Sequence, residues 1–292
     1  MADRDELKGS LLVLAAGMCW GLTGTVQAFA PAGASPLTVG AARVTAAGII
    51  MALWAFFRQG RSFFSGSWNF KGLFIAALGL IAYQLTFFSA VKLTGVAIGT
   101  MIAIGSSPAM AGILGRIAFK ERLKPRWYAA TVMAVAGCSA LALSGGTDGI
   151  KISILGIFLA FSAGFSYALE GYGLRLAAGR TPFETITAVT VLSSLMGLPW
   201  LIIGDVSWIA EPSGFAAVMT LALVSSVFPY CFFASGLKRI TMGKAYTLSL
   251  SEPMTAWILS SLLLGERLSF VGIAGGLILF SGIILLACDQ NK

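Results

Sequence analysis

Residues 106–123, SSPAMAGILGRIAFKERL, and residues 251–268, SEPMTAWILSSLLLGERL, carry a proline and a Glu-Arg-Leu triplet in one register, 145 positions apart. Outward from this pair the agreement continues. Gly137 answers Gly282 and Phe87-Phe88 answer Phe232-Phe233 at the same offset. The Ser35-Pro36 turn and Trp54 answer Thr181-Pro182 and Trp200 at 146, while Gly9, Ala16, Gly17 and Trp20 answer Gly156, Ala163, Gly164 and Tyr167 at 147. Matches that keep their order over the whole chain point to duplication, with one copy in residues 1–148 and the other in 149–292.

Composition fixes the setting. Hydrophobic residues make up 57% of the chain, charged residues only 11%, and the mean hydropathy is +0.87, whereas about a quarter of a soluble domain is charged. The apolar runs predict ten transmembrane helices, near 9–30, 36–57, 71–91, 95–117 and 127–145 in the first copy and near 152–174, 183–204, 214–236, 243–264 and 268–288 in the second. Each is close to the ~20 residues that a ~30 Å hydrocarbon core requires. A copy with five spans ends on the side of the membrane opposite its start, so the second copy enters upside down. The expected fold is an all-α integral membrane protein made of two inverted five-helix repeats, the construction typical of secondary transporters, whose substrate sites lie near the midplane between the halves.

The net charge of +8 is a statement about topology. With the N-terminus in the cytoplasm, sixteen of the 20 basic residues fall on that side and only Lys92, Lys151 and Arg267 on the other, with Arg43 inside a span. The positive-inside rule then places both termini in the cytoplasm, and no nucleic-acid partner is needed to explain the charge. The first apolar run is too long for a signal-peptide core and reads as a retained span. Cys19, Cys138, Cys231 and Cys288 are scattered without a close pair, and the chain has no histidine. Neither a disulfide framework nor the usual metal sites or His-based triads are expected, and nothing calls for a cofactor. The predicted partners are a small-molecule substrate and the lipid bilayer, with no obligatory protein partner evident.

Three ionisable side chains fall inside spans: Arg43, Glu170 and Glu252. A rise of about 1.5 Å per residue puts Glu252 roughly 15 Å into the ninth span. There it carries the mid-bilayer penalty of about 2.5–3.5 kcal/mol and needs a cavity, a partner or a proton. Arg43 and Glu170 lie nearer opposite faces and form a possible charged gate or pair; Arg43 could equally snorkel to the interface. Pro108 and Pro253 occupy matched places, where each removes a backbone hydrogen bond and bends its helix. With Ser107 and Ser249 they mark the most polar mid-span stretches, the expected lining of a central pathway. Trp20, Tyr83, Gln84, Tyr167, Tyr230, Tyr246 and Trp257 also sit deep or nearly so, and suit either helix packing or a pocket for a flat or amphipathic molecule. Trp54, Trp68, Trp127, Trp200 and Trp208, near span ends, need only an interfacial explanation. The pairs Gly95/Gly99 and Gly272/Gly276 have the spacing of small-residue packing seams.

The duplicated unit has a Trp or Tyr after Ala-Gly in its first span, a Pro-led second span with Arg43, and a Pro-bearing fourth span ending in Glu-Arg-Leu before a Gly-rich fifth. It resembles the EamA-type unit of the drug/metabolite transporter superfamily over essentially the whole chain. The resemblance implies a ten-helix carrier of the bacterial inner membrane that exports metabolites, and within the superfamily the chain is most similar to the aromatic amino-acid exporters. Arg43 has Val189 as its repeat partner and Glu252 has Ser107, so any charged site belongs to one copy only.

The leading expectation is therefore an exporter of aromatic and other neutral amino acids that alternates access around a midplane cavity, with Glu252 as polar anchor. A carrier of cationic amphipathic drugs uses the same fold, and a buried Glu among aromatic faces suits it also. An intramembrane enzyme acting on lipid is the competing class; no nucleophile–base constellation in the sequence supports it.

Overall fold

The computed structural model describes residues 2–28, 31, 33–63, 65, 67–144, 153–263 and 269–287, and among them every regular element is helical. In chain order these are α1 (Ala2–Ala28), α2 (Pro36–Gln59), α3 (Phe70–Thr94), α4 (Val96–Phe119), α5 (Pro125–Ser144), α6 (Ile154–Leu176), α7 (Pro182–Ile203), α8 (Pro212–Ala222), α9 (Phe228–Leu237), α10 (Met242–Leu248), α11 (Ser251–Leu263) and α12 (Phe270–Ala287). The second Glu-Arg-Leu triplet, Glu266 to Leu268, and Cys288 lie outside the described residues.

Turn chemistry sets the helix starts. Ser35, Asn69, Ser153, Thr181 and Thr241 each accept a hydrogen bond from a backbone N–H in the first turn of the helix that follows, and Pro36 and Pro182 occupy first helical positions where their missing N–H is not needed. At Thr181 the cap is reciprocal, because Glu184 returns a carboxylate to the Thr181 N–H. A single residue, Gly95 at φ 86°, turns α3 into α4. Gly95 therefore forms the link, since only glycine enters that backbone region without strain, and Gly99 packs against Val91 of α3.

Among the described residues, eight helical segments are long and apolar enough to cross a membrane by length and composition, including Pro212–Leu237, which joins α8 and α9 through a π-turn at Leu223–Val227. The ninth expected span is divided. Helix α10 stops at Leu248, Ser249 and Leu250 turn, and α11 starts at Ser251. Large apolar side chains such as Phe57, Ile203 and Phe270 point outward from the bundle, the surface a bilayer covers.

The main helix pairings are α3 with α6, α5 with α12, α4 with α6, α2 with α7, α1 with α9 and α11, and α4 with α10. Each joins a helix from before residue 145 to one from after residue 152, so the two stretches interdigitate. Small residues allow the close approach. A Cβ on Gly79 or Gly173 would stand 2.5 or 2.3 Å from backbone nitrogen across the α3–α6 crossing, and one on Gly137 would stand 2.4 Å from the Leu279 nitrogen of α12. Gly272 and Gly276 instead form a socket for the Trp257 indole, which a Cβ on either would meet at 3.0 Å.

Two of the tryptophans expected at the membrane interface are buried. Trp208 is 2% exposed in a small core with Val39, Ala42, Val218 and Leu221, its indole N–H donating to the Asp205 carbonyl. Trp127 lies against Gly112 and Gly243.

Candidate functional site

At mid-depth the helices deliver aromatic rings to one place. Trp20 of α1 contacts Tyr167 of α6 at 6.1 Å between ring centroids, Tyr230 of α9 at 6.3 Å and Phe233 at 5.4 Å. Tyr83 of α3 contacts Tyr167 at 5.5 Å and stacks on Phe87 at 5.4 Å. Tyr246 of α10 meets Tyr167 at 4.5 Å and Phe233 at 5.3 Å. The five predicted residues Trp20, Tyr83, Tyr167, Tyr230 and Tyr246 thus form one cluster, to which the structure adds Phe87 and Phe233. Both were visible as repeat matches, but as plain apolar side chains they gave no sign of facing inward.

The members are not equivalent. Tyr167, Tyr230, Phe233 and Tyr246 are buried, whereas Trp20 and Tyr83 are half-buried. Tyr246 acts as a brace. Its hydroxyl donates to the Tyr167 carbonyl at 2.6 Å and accepts from the Gly171 N–H at 3.1 Å, the two groups that an uninterrupted α-helix joins directly. The ring is locked to α6, and a Cβ on Gly171 would stand 2.4 Å from that hydroxyl.

Glu252 is half-buried in the first turn of α11, and Arg43 is half-buried in α2. The charge of Arg43 acts through space on Glu252, Tyr83 and Tyr230, and its Nε is buried within the bundle. Glu170 is buried at 5% exposure beside the backbone of Gly79.

Prolines and serines make the site irregular. Pro108 sits inside continuous α4, and the Ile104 carbonyl that its missing N–H leaves free accepts from the Ser107 hydroxyl at 2.8 Å. Pro253 falls in the first turn of α11, where no helical partner is lost; the break it was expected to produce lies just before it, at Ser249-Leu250. The Ser249 hydroxyl closes that break by donating to the Tyr246 carbonyl at 2.9 Å, and its own carbonyl accepts from the Glu252 N–H. Gly17 and Gly21 of α1 fit against Ser251 and Thr255 at this point. Gln84 is buried against Gly40 of α2, and Trp257 lies on α12.

The sequence reading missed Ser225 and Ser226. They lie in the π-turn, packed against α1 and α2, and π-turns inside helices recur at functional sites. The buried Ser225 hydroxyl lacks a hydrogen-bond partner, as do Thr45 Oγ1 and Arg43 Nε. Ser226 adjoins Tyr230. Buried polar groups are nearly always paired, so these atoms stand out from the rest of the bundle. The signal was present in Ser225-Ser226 followed by Pro229, but α3 holds no matching stretch.

A second network closes one end of the bundle. Glu121, in the link between α4 and α5, accepts from the Met242 N–H at the start of α10 through both oxygens and pairs with Arg175 of α6. Arg175 also donates to the carbonyls of Leu237 and Ile240 at the end of α9. One ion pair thus caps the helices on both sides of the 238–241 link, the carboxylate at an N-terminus and the guanidinium at a C-terminus. Lys244 binds Glu6 at 2.9 Å beside it. Arg180 binds Glu184 at 2.9 Å and stacks on Trp68 at 4.2 Å.

Long apolar helices with large apolar side chains on their outer surfaces define a multi-pass membrane protein. The chain matches the EamA-like transporter family twice, over residues 7–143 and 154–288, and belongs to it. It is a membrane transporter of that family. It is 37% identical to the uncharacterized transporter YwfM of Bacillus subtilis over 97% of this chain and 95% of that one. It is 24% identical to the uncharacterized inner membrane transporter YicL of Salmonella typhimurium over 98% and 97%. A probable amino-acid metabolite efflux pump of Salmonella typhimurium is 24% identical over 59% of this chain and 61% of its own. One solved crystal structure superposes with a TM-score of 0.81 over 95% of both chains at 18% identity, a likeness of fold.

Proposed function

We propose that this transporter exports aromatic and other neutral amino acids from the cytoplasm across the bacterial inner membrane. In this reading residues 1–148 and 149–292 are inverted five-span repeats, and access to the aromatic cluster alternates as they rock. The observation that carries it is the cluster itself: rings from α1, α3, α6, α9 and α10 converge at mid-depth beside a half-buried Glu252. The helix pairings also support it. Exchanging the repeats turns α3–α6 into the pairing of α1 with the α8–α9 span and α4–α6 into α1–α11, and leaves α2–α7 and α5–α12 unchanged, all of which are present. The distant efflux pumps named for amino-acid metabolites agree with the cargo.

The alternative cargo, a cationic amphipathic compound, draws on the same carboxylate and ring faces. Uptake of labelled phenylalanine, tryptophan and threonine into liposomes containing the purified protein tests the choice. Saturable uptake with mutual competition is expected; none from a folded preparation sinks the amino-acid reading and puts the cationic drug first.

A further inference from the structure

We propose that Arg43 recognises the carboxylate of the cargo, so that Arg43 and Glu252 together select a zwitterion, an α-amino acid with both charged groups free. The proposal rests on the amino-acid reading above and adds to it the residue that decides against a simple amine.

The contrast among the cations carries the argument. Arg175, Arg180 and Lys244 are each held by a carboxylate, and Arg239 donates to the Ser235 carbonyl. Arg43 is engaged by none: its Nε is buried without a hydrogen-bond partner, and among the described residues it makes no ion pair within 4.0 Å. The charge of Arg43 acts on Glu252, which among the described residues is likewise without an ion pair. Two opposite charges in the membrane interior gain most from direct contact, because each carries the cost of leaving water. These two are not joined, both are half-buried, and the charge of each acts on half-buried Tyr83. Depth agrees, since Arg43 is about 10 Å along α2 from one end and Glu252 roughly 15 Å from the other. A zwitterion placed between them completes both pairs, its carboxylate on the planar donor fork of Arg43 and its ammonium on Glu252. Glu170 is too fully buried to take that place.

The asymmetry of the repeats gives the site a direction. Val189 and Ser107 stand where second copies of the charges would be, so the cargo has one charged orientation while its side chain lies against the rings.

The test is phenylalanine uptake by proteoliposomes with unlabelled phenylalanine, phenylalanine methyl ester or 3-phenylpropionate as competitor. In the unaltered protein only phenylalanine should compete strongly, because each analogue lacks one charge. Arg43→Gln should weaken phenylalanine transport by roughly 10- to 100-fold, the loss of a charge-assisted contact, and bring the ester level with phenylalanine; Arg43→Lys should restore part of the preference. If the ester competes as well as phenylalanine in the unaltered protein, or if Arg43→Gln keeps the full preference, the role of Arg43 is overturned while the amino-acid reading stands. Absence of phenylalanine uptake by the unaltered protein removes both. The competition profile needs no variant, so a substitution that fails to fold does not shield the proposal.

Discussion

Tyr246 shows how much one side chain can contribute. Its hydroxyl occupies the turn of α6 between Tyr167 and Gly171, and its ring is fully buried against Tyr167 and Phe233. Tyr246→Phe should lower the thermal stability of the detergent-solubilised protein by about 1–3 kcal/mol, the cost of leaving buried polar groups to find new partners. Unchanged unfolding would mean that the two backbone groups simply rejoin. Its depth was legible in the sequence, but its role was not: a tyrosine in an apolar run can line a pocket or hold a helix. Only the 2.6 Å contact with the Tyr167 carbonyl separates the two. Arg43 makes the same point in reverse, since the sequence allowed snorkelling and the packing buries its Nε within the bundle.

Among the elements, the link from α9 to α10 is the place where a small change has the largest reach. Glu121 and Arg175 hold its two ends, and both side chains are largely buried, at 6% and 20% exposure. Removing one partner from such a pair leaves a buried charge uncompensated, at a cost of about 3 kcal/mol or more. Arg175→Ala should therefore speed hydrogen exchange at Met242 and through residues 238–241, and loosen this end of the bundle relative to the opposite one. Equal protection with and without Arg175 would show that the link is held by other contacts. The Glu-Arg-Leu motif was plain in the sequence as a repeated mark. Its meaning was hidden because Glu121 finds its partners 54 and 121 residues away, at Arg175 and Met242.

At the scale of the whole molecule, the division of basic residues and the exchange of helix pairings lead to one expectation. Fluorescent-protein fusions at the N- and C-termini should both light up in the cytoplasm, and alkaline phosphatase should be active when fused in the link between α1 and α2 but not at either terminus. An active phosphatase at the C-terminus would rule out an even number of crossings from a cytoplasmic start. The interleaving of α1 with α9 and α11, and of α3 and α4 with α6, also predicts that the stretches before residue 145 and after residue 152 do not fold alone, because neither buries its glycine-lined crossings without the other.

Composition, periodic apolar length and the double register were enough, by themselves, to determine an all-helical membrane protein, the family it resembles and the depth of its polar residues. These follow from local rules: a helix must be about 20 apolar residues long to span lipid, and a charge at mid-depth is costly wherever the chain goes next. What only the tertiary structure decided is which faces meet. It divided the ninth span at Ser249-Leu250, opened the π-turn at Ser225-Ser226, buried Trp127 and Trp208, engaged Ser107 in repairing its own helix, and set Arg43 near Glu252 without joining them. The physical reason is rotational: the sequence gives a residue's height along a helix, but its direction is fixed by where glycines let neighbouring backbones approach, and those neighbours come from the far half of the chain.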